Sequence, residues 1–240
     1  GNRSPCRIII RKKMILFLDT AFNETRIALK KDKKFYESKI SEKINISKEI
    51  ISSLRNILEE SKSSQNDISI IYFNHGPGNF TSLRVALSCI KALAFYLKVP
   101  IVKLNSFQIL ALSEKDINES YPILVAIDAK MNEIYWQLYK NGKKELFFQN
   151  DNYNLSSEKD FFLELRNCNL KNHYIFKNDK NFLDNYNELF PNATEIIVEN
   201  KNIDLQHLIL MVEKNQEKLN STAEEVNLLY IRDNVAVKKK

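Results

Sequence analysis

Apolar and polar residues alternate along this chain in two different periods, and the change of period marks out its elements. Residues 14–18 (MILFL) form a short apolar run that ends in Asp19. Residues 25–30 alternate apolar and polar positions, and residues 35–40 form a third extended candidate. Short polar connections at Asn23-Glu24 and residues 31–34 separate the three, which predicts a β-meander. Over residues 47–60 the period becomes helical, because Ile50, Ile51, Leu54, Ile57 and Leu58 recur at spacings of three, four and seven. A strand at 68–73, a turn at Gly76-Pro77-Gly78, a helix at 81–97 and a strand at 101–104 complete the order β-β-β-α-β-α-β.

The order then starts again. Residues 121–127 are a buried-strand run ending in Asp128, followed by extended candidates at 134–139 and 145–149 with a turn at Asn141-Gly142 between them. Beyond lie helical stretches near 157–166 and 181–189, strands near 173–177 and 195–199, and a helix near 204–219. Asp19-Thr20-Ala21-Phe22-Asn23-Glu24 aligns without a gap to Asp128-Ala129-Lys130-Met131-Asn132-Glu133, 109 residues later. This predicts an α/β protein of two tandem actin-like (ribonuclease H-like) lobes, with mixed sheets flanked by helices. The lobes are expected at 14–105 and 106–240, the last segment packing back on the first lobe.

The chain has only four glycines, and two of them flank Pro77. Glycine serves where the backbone takes positive φ or approaches something closely, and proline fixes φ. Gly76, Pro77, Gly78, Thr81 and Arg84 therefore read as a structural loop that launches the next helix. In that helix the polar residues Arg84, Ser88, Lys91 and Lys98 make one narrow stripe, while Leu83, Leu87, Ile90, Leu93, Ala94 and Leu97 help fill most of the remaining circumference. Its own sheet covers one face only, so something else must cover another. Either a neighbouring lobe does so, or the helix joins Ile50, Ile51, Leu54, Ile57 and Leu58 in a partner interface of ordinary size.

Composition narrows the class. At 240 residues, 44% hydrophobic and 28% charged, the chain has length for a sizeable core and the balance of a soluble globular protein. No apolar run approaches the ~20 residues a membrane span needs, so an integral membrane protein is not expected. Cys6, Cys89 and Cys168 are too few and too scattered for a disulfide framework or zinc site, which fits a reducing compartment. The net charge of +6 is dispersed and partly terminal (Lys238–Lys240), which leaves room only for auxiliary contacts to RNA. Residues 1–13 carry no secretory apolar segment and are set apart as a native extension or a cloning remnant.

Asp19, Thr20 and Asp128 stand where an actin-like cleft would hold a nucleotide and its metal. Neither hairpin that follows these aspartates contains glycine, each carries a glutamate where phosphate would be repelled, and no glycine follows Gly142. A vestigial nucleotide cleft is the expectation. The Gly76-Pro77-Gly78 loop lacks the Gly-Lys-Ser/Thr ending of a P-loop. His75, His173 and His207 are far apart, so no metal site and no catalytic residue is assigned.

Four segments in this order carry a resemblance. They are Leu16-Phe17-Leu18-Asp19-Thr20-Ala21, the Gly76–Thr81 loop with Arg84, Asp128-Ala129-Lys130-Met131-Asn132-Glu133-Ile134-Tyr135-Trp136, and Tyr230-Ile231-Arg232 with Val235-Ala236. Together, from residue 14 to the end, the chain resembles the TsaB (YeaZ) family of tRNA threonylcarbamoyladenosine biosynthesis proteins. The resemblance implies a cytoplasmic, non-catalytic scaffold that pairs with the TsaD transferase, or with a second copy of itself, through the two N-terminal-lobe helices. It also implies a P-loop ATPase, TsaE, as third subunit, with ATP and metal on the partners and tRNA contacted indirectly or through basic residues. The H-x-x-x-H metal pair of TsaD-like enzymes is missing from residues 47–60. The alternative is an independent actin-like ATPase or phosphotransferase, or a peptidase.

Overall fold

The computed structural model describes residues 14–40, 45–148, 153–198, 203–216, 219–221 and 226–229. Residues 1–13, the motif at 230–236 and the basic tail at 238–240 lie outside them. The first sheet contains β1 (Met14–Asp19), β2 (Thr25–Lys31), β3 (Lys34–Ile40), β4 (Ile68–Asn74), β5 (Ile101–Leu104) and β11 (Asn220–Ser221). The second contains β6 (Ile123–Asp128), β7 (Glu133–Tyr139), β8 (Asn154–Ser157), β9 (His173–Lys177) and β10 (Ala193–Ile197). The strand orders are β11-β5-β4-β1-β2-β3 and β10-β9-β6-β7-β8. Within each sheet the first three strands pair antiparallel and the next two add in parallel on the other side of the first. One plan is thus used twice, the duplicated ribonuclease H-like unit of actin-like proteins.

β1 is an unbroken apolar run because both of its faces are covered. On one side lie α1 (Ile46–Glu60) and α2 (Phe80–Leu97). On the other, Lys30 of β2 pairs with Glu213 of α6 (Leu205–Lys214) at 3.0 Å, and the Tyr72 hydroxyl of β4 donates to Gln216. α3 (Ser106–Leu112) packs on β6, β9 and α6, and all seven of its residues are buried. One apolar cluster consequently runs from Leu16 in the first sheet to Phe176 in the second. A separate cluster on the far face of the second sheet gathers Trp136, Phe161 and Tyr186 under α4 (Glu158–Asn167) and the short α5 (Tyr186–Leu189).

The sequence pattern errs in the second lobe. Residues 145–149 were expected to form its third strand, but Gly142–Phe147 is a 3₁₀ helix and β8 supplies the strand instead. Leu146 and Phe147 are buried, and the Gln108 amide donates to Leu146 O at 2.6 Å, so this segment is held by α3 rather than by a strand partner. α3 itself was missed, because a short helix buried all round shows no polar stripe. Its signal was the reciprocal cap, in which Asn105 Oδ1 and Gln108 Oε1 each accept the other's backbone N–H at 2.8 Å. The helix expected at 181–189 is reduced to α5, and that at 204–219 stops at Lys214 before the chain returns to pair β11 with β5. There Val226 and Leu228 are buried, and Leu229 N donates to His75 O.

α2 has the length and apolarity of a membrane span, unlike the sequence expectation. In the fold it packs on β4 and against α1, and its exposed side carries Arg84, Ser88 and Lys98.

Candidate functional site: a cleft and a helical groove

The loop between β4 and α2 is built by close approach. Gly76 sits at φ 110°, followed by a cis bond to Pro77. A Cβ on Gly78 would lie 2.3 Å from Ala21 O, and Asn79 N donates to that same carbonyl at 2.7 Å. Only a residue without a side chain fits there. Asn79 then caps α2 by accepting from Ser82 N, and the exposed Arg84 guanidinium stacks 3.9 Å over the Phe80 ring. Thr81 is exposed beside them.

Beneath the loop lies a buried polar network. Asp19 Oδ1 accepts from Ala21 N at 2.9 Å and Asn74 Nδ2 at 2.8 Å, while Oδ2 pairs with Arg26 Nη1 at 2.9 Å. Asn74 Oδ1 accepts from Gly76 N, and the Ser106 hydroxyl donates to Pro77 O at 2.6 Å. The network thereby ties β1, β2, β4, the glycine loop and the start of α3 together.

The interlobe cleft above it has a volume of about 440 Å³, with Phe22, Gly78, Phe80, Asp128, Lys130 and Tyr135 among its walls. Two expectations are corrected here. Asp19 and Thr20 do not line the cleft but are fully buried under it. Asp128 does line it, with Oδ1 accepting from Lys130 N at 2.7 Å and Oδ2 paired to Lys130 Nζ at 2.5 Å. Lys130, Met131 and Asn132 all hold φ near +60°, a run of left-handed residues without glycine. In both hairpins the amides that would face phosphate are turned onto an aspartate, Ala21 N to Asp19 and Lys130 N to Asp128. The residues present do not fit the metal–nucleotide group that an actin-like cleft implies.

The second concavity lies between α1 and α2 and encloses about 760 Å³. Leu16, Leu18 and Ile27 of the sheet form its floor, Ile51, Leu54 and Leu58 one wall, and Cys89 and Leu93 the other. Arg55, Glu59, Ser88 and Tyr96 stand at its edges. Phe95 is 78% exposed, Tyr96 64% and Ile51 55%. Large exposed side chains concentrated beside an apolar groove mark a surface for association. Burial raises the Cys89 thiol pKa, so it is not an activated nucleophile.

The interface residues picked from the sequence separate into two sets. Ile57, Leu83 and Ala94 are buried within the chain, Leu83 at the wall of the interlobe cleft, and do not line the groove. Ile50 and Ile90 are nearly as buried and form the groove's inner lining. Ile51, Leu54, Leu58 and Leu93 line it with exposed or half-buried side chains, whereas the half-buried Leu87 and Leu97 lie outside it. Phe95 and Tyr96 were overlooked. The signal for Phe95 was in the spacing: it falls eleven positions after Arg84, on the side of the helix that the polar residues had already marked as outward, whereas Tyr96 lies about a third of a turn away, toward the groove.

His75 and His173 serve the fold. His75 is buried with Nδ1 3.1 Å from Asn227 O, and His173 Nε2 lies 2.7 Å from the Tyr186 hydroxyl. Burial lowers the His173 pKa and raises that of Tyr186, with Glu195 adding to the latter. Among the described residues, no three His, Cys, Asp or Glu side chains come together as a metal site.

Comparison with known proteins places this architecture. Over 228 residues the chain is 26% identical to the tRNA threonylcarbamoyladenosine biosynthesis protein TsaB of Buchnera aphidicola subsp. Acyrthosiphon pisum, spanning 90% of this chain and 97% of the relative. Over nearly its whole length the chain is similar to a TsaB protein. A shorter match, 29% identical over 98 residues, covers 41% of this chain and 42% of Escherichia coli TsaB. The family model of TsaD, tRNA N6-adenosine threonylcarbamoyltransferase, matches residues 42–157, as the fold shared by TsaB and TsaD leads one to expect. YeaZ from Pseudomonas aeruginosa superposes with a TM-score of 0.66 at 20% identity, covering 91% of this chain and 100% of that one. A second Pseudomonas aeruginosa structure, titled as similar to peptidase YEAZ, gives 0.69 at 21% identity, covering 92% and 100%. For a chain similar to TsaB the groove and the cleft are thus the two features to explain.

Proposed function

We propose that this chain is a non-catalytic subunit for making threonylcarbamoyladenosine in tRNA, and that it docks a TsaD-type transferase in the groove between α1 and α2. The observation that carries the reading is the groove itself. Its floor is the sheet, its walls are apolar, and Phe95 and Tyr96 stand exposed beside it. A monomer gains nothing from leaving this surface in water, whereas a partner gains the burial. The buried Asp19 and the Lys130-paired Asp128 support a subunit that leaves ATP, metal and group transfer to its partners. A TsaE-type ATPase, a second copy of the chain and auxiliary basic contacts to tRNA belong to the same proposal, as does a cytoplasmic location.

The test is co-expression with a TsaD-type transferase. A stable complex in gel filtration is expected, with modified tRNA restored in a TsaB-deficient strain only while the complex forms. ATP turnover or peptide cleavage by the chain alone, lost on Asp19→Ala, would overturn the non-catalytic reading. Ile51→Glu should break the complex without unfolding the chain; a full-strength complex from that variant would remove the groove from the interface. Ile90→Glu is unsuitable, since Ile90 is buried and the charge would destabilise the lobe itself.

A further inference from the structure

We infer that the partner filling the groove presents an acidic amphipathic helix, its carboxylates laid along a row of cations on the outer side of α2. The inference rests on the docking reading above and names the chemistry of the surface that docks. No Asp or Glu occurs in α2. Its cations Arg84 and Lys91, and Lys98 at its C-cap, stand seven residues apart. Seven residues are close to two helical turns, so the three share one line, with charges spaced about 10 Å apart. Phe95 falls on the same line between Lys91 and Lys98 and is 78% exposed. Lys98 suits the negative end of the helix dipole, but Arg84 and Lys91 gain nothing from it. Among the described residues, neither Lys91 nor Lys98 has an ion-pair partner.

The row borders the groove. Ser88, Ala92 and Tyr96 form the groove's edge on α2, and the row lies on the next strip of helix surface outside them. The edge on α1 is balanced instead, by Arg55 and Glu59. A helix whose apolar side fills the groove therefore meets uncompensated positive charge on its α2 side only. Charges repeating every seven residues beside an apolar seam are what pairs two helices through their flanking positions. A second copy of the chain fits less well, because it brings the same acid-free α2 and an α1 with Lys48 and Arg55 among its glutamates. RNA phosphates would meet the cations but leave the apolar walls in water.

The experiment follows association of the full chain with a TsaD-type transferase by surface plasmon resonance, at about 50 and about 500 mM NaCl. It compares wild type, Ile51→Glu and the double variant Lys91→Glu/Lys98→Glu; Arg84 is left in place because it stacks on Phe80. The double variant should melt within about 2 °C of wild type. The wild type should associate roughly tenfold faster at the lower salt, and the double variant should lose that advantage. A complex that Ile51→Glu breaks, but that salt and the double variant leave untouched, would overturn the inference and spare the docking reading. If no complex forms, or if Ile51→Glu leaves it intact, the docking reading falls and the inference with it. The inference also fails if the double variant weakens only tRNA binding by the chain alone, or only a homodimer seen in gel filtration, while transferase association is unchanged.

Discussion

Truncating Phe95 and Tyr96 to alanine should separate association from folding. Phe95 exposes 78% and Tyr96 64% of its surface. Aromatic side chains bury about 150–250 Å² when covered, so a partner can cover roughly 120–200 Å² on Phe95 and 100–160 Å² on Tyr96. At ~25 cal/mol per Å² that is a gross gain of about 3–5 and 2–4 kcal/mol. Ordering each side chain takes back about 0.5–1.5 kcal/mol, and imperfectly paired polar groups take back more. A net loss of about 2 kcal/mol for each truncation is therefore expected, equivalent to roughly 30-fold in affinity. The same changes remove almost no contact within the folded chain, so its stability should move by no more than ~0.5 kcal/mol. For a protein of this size that is a melting shift of about 1–2 °C. Calorimetric titration against a TsaD-type transferase, with thermal melting of the isolated variants, measures both quantities. Unchanged affinity after both truncations would refute the docking argument. A fall in melting temperature as large as a core substitution causes would show that the aromatics are spent on the chain's own fold.

Gly78→Ala should destabilise the chain by about 2–4 kcal/mol, since its Cβ would meet Ala21 O at 2.3 Å and the Asn79–Ala21 hydrogen bond would have to lengthen; a melting temperature within ~2 °C of wild type would contradict the close-approach account. In the second lobe, Lys177 Nζ lies 3.1 Å from both Glu195 Oε2 and Leu183 O, and its side chain is fully buried. Lys177→Met should cost about 2–3 kcal/mol in urea denaturation, below the usual loss for a broken buried pair because Glu195 keeps some access to water; adding Glu195→Gln should recover most of it, and no recovery would mean that the carboxylate is not what suffers. Stability should also fall on acidification. Burial holds the His173 pKa below its ordinary 6.5, so the unfolded chain binds the proton first. The stabilisation is complete above pH 6.5 and is lost as pH falls from there through the folded-state value. Melting curves should show this loss and His173→Gln should flatten it; a wild-type profile level between pH 7.5 and 5 would rule it out.

Much of the fold was legible because tandem lobes repeat their chemistry. The run of residues 14–18 ending in Asp19 recurs 109 residues later in the run ending in Asp128, and the structure places both as first strands with their meanders beside them. α1 and α2 were legible as amphipathic stripes. α3 was not, because a seven-residue helix buried on every side, its polar Ser106 and Gln108 included, shows no outward polar stripe. The third strand of the second lobe was misplaced because Leu146, Phe147 and Phe148 read as a strand, whereas the segment is a 3₁₀ helix held by α3.

By itself the sequence determined the order of elements in the first lobe, the duplicated strand ends and the need for glycine at the turn after β4, since backbone conformation and periodicity are local properties. The tertiary structure alone decided which apolar residues a partner can reach. A periodic stripe shows that a face is covered but not by what, and Ile57 and Ala94 prove to be buried within the chain while Phe95 and Tyr96 face water. It also decided the fate of Asp19. Strand register sets Arg26 opposite it, and that pairing turns a carboxylate at a ligand-binding edge into an internal ion pair.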